Sequence, residues 1–302
     1  MQRPAKPLTP VRFRIQPPLN IMKIGIIGYG FVGKALEASF NSDVEIMKID
    51  PKLNRNIELL RSFNADALFI CVPTPMNEDF SQDVSILKNV LDEINDFNFN
   101  KLVVLKSTVL PSHIKEIKQS FSNLVYNPEF LREKYAYEDF INSKLIIFGG
   151  DEDNCKLLSQ IYKNHTKCSC TDYIYTDAIC ASFVKYTINS FLATKVTFFN
   201  ELNHLFNESG TEENWDNFIN ALSRDERLGN SHMQVPGHDG RFGFGGACLP
   251  KDSNAFQIYA KEMKKSLNVL KTAINTNNKI RASYNNETDR ELEQKVKFTG
   301  DS

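Results

Sequence analysis

Apolar residues in the first half of the chain recur as short continuous runs rather than as alternating ones. MKIGIIGYGFVGKALEASF (22–40) opens on such a run at 23–27, and VEIMKID (44–50), ALFICVP (67–73), KLVVLKST (101–108), LVYN (124–127) and KLIIFGG (144–150) repeat it. Runs of this kind mark strands covered on both faces. Between them, SILKNVLDEINDF (85–97) and SHIKEIKQSF (112–121) space their apolar residues three and four apart, which predicts amphipathic helices. Strands and helices alternating in this way predict an α/β fold built on a doubly wound parallel sheet over 22–175. The second half changes character. Residues 177–208 contain no Gly or Pro and are apolar around most of the circumference, predicting a long buried helix. That helix opens a mostly helical domain over 176–296, with 297–302 as a tail. Residues 1–21 hold five prolines and no usable period, which predicts a disordered extension ahead of a core beginning at Met22.

Composition narrows the classes. The 302 residues suit two domains, 41% are apolar and 24% charged, as in an ordinary globular protein. A formal charge of −1 argues against nucleic acid as a partner. No apolar run reaches the roughly 18–20 residues of a membrane helix, so no membrane partner is expected. The six cysteines are irregularly spaced, and Cys168 and Cys170 lack a second pair at zinc-ligand spacing. Reduced thiols, no metal and a cytoplasmic location are the expectations.

Candidate chemistry begins at Gly28, Gly30 and Gly33, spaced G-x-G-x-x-G between the first strand and the first helix, with Asp50 ending the second strand. The first glycine permits a tight turn, the second lets a pyrophosphate approach the backbone, and the third lets helix and strand pack closely. The helix amino terminus offers unpaired N–H groups to the phosphates. Asp50 suits a ribose diol and repels a 2′-phosphate, which favours NAD over NADP. This context makes the sheet Rossmann-like. Thr74 and Thr108 lie just past strand ends, where ligand contact and a turn role fit equally well. In YNPEFLREKYAYEDF (126–140), Asn127 reads as an N-cap and Pro128 as the first helical residue, placing Glu129 and Glu133 on one helical face. Two acids near a helix amino terminus are also what the helix dipole alone favours. On the long helix, Lys185 and Asn189 are one turn apart; the lysine either snorkels past the core or turns inward to meet an anion. GRFGFGGACLPKD (240–252) surrounds Cys248 with glycines and places Lys251 and Asp252 just beyond it. Such a loop is either a bare turn around a small buried thiol or a nucleophile that a substrate can approach closely.

Five ordered motifs together resemble the UDP-glucose/GDP-mannose dehydrogenase family: the glycine fingerprint, VPTP (72–75), NPEFLRE (127–133), Lys185 with Asn189, and GFGGACLPKD (243–252). The resemblance spans roughly residues 22–280. It implies four-electron oxidation of a nucleotide sugar's C6 alcohol to the carboxylate, with two NAD used in succession and UDP-glucose as the expected substrate. Cys248 would add to the intermediate aldehyde, and the resulting thiohemiacetal would be oxidised to a thioester that water hydrolyses. Lys185 and Asn189 would hold the oxygen that becomes negative. Asp252 would act as base on a water, with Thr108 nearby, and Glu129 would assist hydrolysis. The cofactor set it implies is Gly28, Gly30, Val32, Gly33, Asp50, Thr74, Thr108, Glu133 and Lys251. The substrate set is Glu129, Lys185, Asn189, Arg227 in RDERLG, and Gly245. A homodimer through the central helix is the expected assembly.

The chain departs from the pattern in two places. Family members carry a further nucleotide-gripping domain after the central helices, and residues beyond 287 are too few for it, so a short form is expected. Ser182 stands where the family usually has Glu, one turn before Lys185. GDP-mannose and N-acetylhexosamine nucleotides are the alternative substrates. A different alternative is an inactive NAD-binding relative acting as partner or regulator, against which the joint presence of Cys248, Lys185, Asn189 and Asp252 argues. A two-electron hydroxyacid dehydrogenase has no use for the thiol.

Overall fold

The computed structural model describes residues 21–284 and 286–298. The extension expected over 1–21 therefore lies outside the described residues except for Ile21, as does most of the tail. Chain order runs β1 (Met22–Ile27), α1 (Phe31–Ser39), β2 (Val44–Ile49), α2 (Leu59–Phe63), β3 (Ala67–Ile70), α3 (Ser85–Asp96), β4 (Leu102–Leu105), α4 (Pro111–Ser120) and β5 (Leu124–Tyr126). It continues through α5 (Ala136–Ile141), β6 (Ile147–Gly149), α6 (Glu152–His165), β7 (Ile174–Thr176) and α7 (Ala178–Glu208). The second half adds α8 (Trp215–Leu222), α9 (Leu249–Glu262), α10 (Asn268–Arg281) and α11 (Asp289–Glu293).

Among the described residues one sheet forms, in the order β2-β1-β3-β4-β5-β6-β7. Every pairing is parallel except β5 with β6, joined at Tyr126 and Gly149. The expected doubly wound sheet is thus present with one antiparallel joint. Its apolar runs divide by the two-residue period of a strand. Leu68, Ile70, Val103 and Leu105 face a core shared with α3, α4 and the start of α7. Ala67, Phe69, Leu102 and Val104 face the opposite core with α1, α5 and α6. Burial on both sides is why the strands read as continuous apolar runs.

Helix α7 matches its predicted span and starts at an Asp177 cap, whose side chain accepts from the Cys180 N–H at 2.9 Å. Its first turns lie on the sheet through Ala178 and Ala181, and farther along it packs against α9 and α10 through Tyr186 and Ala193. The helix therefore carries residues from the carboxyl edge of the sheet into the helical layer. Ser182, the departure noted above, donates to the Val109 carbonyl at 2.6 Å and ties α7 to the loop after β4.

The helix expected from Asn127 and Pro128 does not form. Residues 127–132 are irregular, and regular structure resumes only at a short 3-10 turn over Glu133–Tyr135. Tertiary bonds outcompete the cap. The Asn127 amide donates to Ile147 O at 2.9 Å, while its Oδ1 accepts from Lys106 Nζ at 2.9 Å and from the Tyr162 hydroxyl at 2.5 Å. Glu129 and Glu133 consequently do not share a helical face. Glu129 is buried, whereas Glu133 is partly exposed and pairs with Arg290.

Candidate active site

A parallel sheet gathers its loops at the carboxyl ends of the strands, and here they enclose a cleft of about 1130 Å³. Its wall includes Gly28, Gly30 and Val32 after β1, Asp50 after β2, Thr74 after β3, Thr108 after β4 and Glu129 after β5. Cys248, Lys251 and Asp252 close it from the helical side, and Glu133 and Arg290 stand at its rim. Sheet and thiol loop, far apart in sequence, face one cavity.

The fingerprint glycines differ in what surrounds them. A methyl group on Gly33 would lie 2.4 Å from the Gly28 carbonyl oxygen, and one on Gly28 would lie 2.7 Å from the backbone of Cys71 in a residue whose φ is +89°. At Gly30 no atom lies within 4 Å of that position. Gly28 and Gly33 are bare for internal packing, whereas Gly30 leaves an open cradle at the amino terminus of α1, where a pyrophosphate fits. Asp50 is held at the far end, accepting from the Tyr29 N–H at 2.7 Å and the Lys52 N–H at 2.8 Å. Its carboxylate is thereby presented where a ribose diol would lie. The residues present fit NAD.

Opposite the cradle, four charged side chains are buried together: Glu129 is 8% exposed, Lys185 3%, Lys251 6% and Asp252 1%. Lys185 Nζ donates to Glu129 twice, to the backbone oxygen at 2.5 Å and to Oε1 at 3.2 Å. Lys251 Nζ meets Asp252 Oδ1 at 2.5 Å, and the Asn189 amide donates to Asp252 Oδ2 at 2.6 Å. The lysine thus turns inward. Burial works against its charge, but Glu129, Asp252 and Cys248 outweigh it and hold the Lys185 pKa above the ordinary lysine value. At neutral pH it is an ammonium with a third N–H not used by Glu129.

Cys248 occupies the cap position of α9, with Pro250 in the first turn. A helix amino terminus favours a thiolate. Here burial dominates, reinforced by Glu129 and Asp252 and opposed by Lys185 and Lys251, and pushes the thiol up to about 11. The half-buried sulfur is therefore a protonated thiol at rest, whose proton must leave as it attacks.

Other expected residues are less direct. Thr74 is buried, and its hydroxyl donates to the Thr108 carbonyl at 2.8 Å, so it fixes the loop after β4 as well as lining the cleft. Arg227 does not line the cleft: its side chain is 89% exposed and pairs with Asp225 at 2.5 Å. Gly245 also lies off the cleft wall, laid against the Arg281 guanidinium, where a methyl group would sit 1.2 Å from Nη2. Several residues escaped the sequence reading. Gln82 holds the loop after β4, donating to Thr108 O at 2.8 Å and accepting from the Leu110 N–H at 3.0 Å. Lys106 is a buried ammonium among neutral oxygens, and burial lowers its pKa to about 8. Arg290 and Gln294 come from the last helix and the residue after it; only the pattern Thr288-x-x-Glu291, a capping box, signalled that helix.

The sheet, its open cradle and the thiol on the facing wall define an α/β dehydrogenase of the dinucleotide-binding class. Comparison with known proteins narrows this. The model of the NAD binding domain of the UDP-glucose/GDP-mannose dehydrogenase family matches residues 52–166, and that of its central domain matches 180–279. A UDP-glucose 6-dehydrogenase of Campylobacter jejuni is 31% identical over 291 residues, covering 85% of this chain and 72% of that protein. One from Rickettsia bellii is 34% identical over 71% of this chain, which spans about half of it, 49%. Among solved structures, a UDP-glucose dehydrogenase from Pyrobaculum islandicum has a TM-score of 0.69 at 25% identity, over 88% of this chain and 70% of that one. The chain belongs to the UDP-glucose/GDP-mannose dehydrogenase family.

Two outcomes follow from the geometry. Gly30→Val will leave the melting temperature within a few degrees but abolish NAD binding by calorimetry, whereas Gly33→Ala will destabilise the fold by about 1–3 kcal/mol through overpacking. A Gly30→Val protein that binds NAD normally contradicts the cradle. Alkylation of Cys248 by iodoacetamide will rise with a midpoint near pH 11, and at pH 8 will be slower than that of exposed Cys180. The sign is fixed by the raised value: the reactive thiolate appears only as pH climbs through it. A midpoint at the ordinary thiol value of about 8.5 contradicts this environment.

Proposed function

We propose that the protein oxidises the C6 alcohol of a nucleotide sugar to the carboxylate with NAD, and that the sugar is UDP-glucose. The observation that carries this reading is Cys248 facing the same cleft as the fingerprint, backed by the buried Lys185–Glu129 and Asp252–Asn189 pairs. NAD held by the cradle at Gly28 and Gly30 and by Asp50 would supply the hydride acceptor for each of the two oxidations, one NAD after the other.

Asp252, fixed by Lys251 and Asn189, takes the alcohol proton through a water while the third N–H of Lys185 stabilises the developing oxyanion. The aldehyde then meets the thiol. A C–S bond forms at C6, and the thiol proton passes to the aldehyde oxygen, giving a thiohemiacetal. This bond retains the aldehyde while the cofactor exchanges. Loss of the carbinol hydrogen as hydride, for which a second NAD would be the acceptor, and of the hydroxyl proton to Asp252, which has by then released its first proton to water, leaves a thioester. Water attacks it, Glu129 accepts a proton, the C–S bond breaks and the sulfur recovers its proton. A thiol held at about 11 stays uncharged until an electrophile arrives, and Lys185 and Lys251 offset part of the cost of releasing it from the thioester.

Purified protein with excess NAD will form about two NADH per UDP-glucose consumed, as covalent retention of the aldehyde demands. Cys248→Ser will bind NAD but form no glucuronate. One NADH per sugar, or normal acid formation by the serine variant, would overturn the scheme. No turnover on any nucleotide sugar would favour the inactive-relative alternative.

We also infer a homodimer through α7. Phe191, Phe198 and Leu205 recur every seventh residue along this helix and are 65%, 57% and 66% exposed, an apolar stripe suited to a second copy. Sedimentation velocity will give a dimer for the native chain and a monomer for Phe198→Glu. A monomeric native chain contradicts the inference.

A further inference from the structure

The thiol loop does not rest on the sheet. The Gly243 N–H donates to Asn200 Oδ1 at 2.8 Å, and Phe244 exchanges bonds of 2.6 and 2.9 Å with the Asn277 side chain. Nearer the sulfur, the Gly246 N–H donates to Glu291 Oε1 at 2.9 Å. Glu291 is 0% exposed and Arg281 is 2% exposed; the two meet at 3.1 Å, and Asp239 pairs with the same guanidinium at 2.8 Å. Glu291 is pinned in turn by its capping box, accepting from the Thr288 N–H at 2.7 Å through Oε2. Gly245 lies flat on this carboxylate–guanidinium platform, with room for no side chain. Gly246 has a φ of +76°, in the left-handed region, so the backbone turns sharply at the contact just ahead of Cys248.

We propose that Glu291 is a positioning residue for Cys248: its buried carboxylate, carried by the last helix and set by Arg281, fixes the backbone turn that presents the sulfur to the cleft. The proposal rests on the reading of Cys248 as nucleophile. The carboxylate is strategically placed for this role. Its hydrogen bond reaches the loop two residues before the thiol, and it sits on a segment beyond the matched central domain, 180–279. Burial raises its pKa, but the N–H donors of Thr288 and Gly246 together with Arg281 outweigh that and hold it ionised at neutral pH. An ionised acceptor at a buried turn is worth more than a neutral one, and losing it leaves the Gly246 N–H unmet and strips Arg281 of one of its two carboxylate partners.

Site-resolved alkylation by iodoacetamide at pH 8, read by mass spectrometry, tests this without requiring sugar oxidation. Glu291→Ala will accelerate modification of Cys248 about tenfold, the factor expected for losing a charge-assisted bond, while the exposed Cys180 keeps its rate. In turnover the same variant will lose about tenfold in kcat, with KM for NAD within about twofold, since the cradle is untouched. Cys248 alkylation within about twofold of the native rate overturns the proposal, and so does equal acceleration of Cys180 and Cys248, which reports general loosening. If the alanine variant does not fold, Glu291→Gln decides: its single carbonyl oxygen keeps one of the two N–H contacts while its NH2 group cannot accept the other and the charge is lost, and a selective gain of about threefold supports the proposal whereas none overturns it. Should alkylation behave as expected with no nucleotide sugar oxidised, the proposed function fails and the positioning role stands.

Discussion

Two ammonium groups and two carboxylates buried in one place are the constraint around which this molecule is arranged. Isolated, each would cost several kcal/mol to desolvate; paired, they hold one another in fixed geometry. The four arrive from three separate parts of the chain: Glu129 from the end of β5, Lys185 from α7, and Lys251 and Asp252 from α9. No local segment can satisfy them. Helix α7 must cross the carboxyl edge of the sheet, and α9 must begin where it does, for the charges to cancel. Removing one partner leaves a buried charge unmet at about 3–5 kcal/mol.

That same arrangement explains the state of the thiol. A helix amino terminus and two nearby lysines would make Cys248 a ready thiolate, but burial and two carboxylates hold it protonated. In the proposed reaction the thiol would stay uncharged until an aldehyde is present. On the proposed reading, the positive charge of Lys185 would serve the oxygen instead. Asp252 joins the network across α7 and α9, touching both Lys251 and Asn189.

Much of the fold was legible because its signals are local. Apolar runs buried on two faces, the G-x-G-x-x-G turn and the uninterrupted stretch at 177–208 each carry their own physics. The inward turn of Lys185 was not, since periodicity alone does not separate a snorkelling lysine from a paired one. Asn127 is the instructive failure. Its cap chemistry is real, yet Lys106, Tyr162 and Ile147 claim the side chain first, and contacts between residues this distant leave no local pattern. Glu291 lay within reach, because Thr288-x-x-Glu291 announces a helix start, but nothing in its neighbourhood points to Gly246. Arg227 and Gly245 came from resemblance alone; the chain places one in solvent and the other on Arg281.

The central claim is that carbon six of the sugar becomes bonded to the sulfur of Cys248. Rapid acid quench during steady turnover with UDP-glucose, followed by digestion and mass spectrometry, reads that bond directly. The account predicts a Cys248 peptide heavier by the oxidised nucleotide sugar or its acid-stable remnant, absent when NAD is omitted. Glucuronate accumulating while that peptide keeps its native mass at every quench time would contradict it.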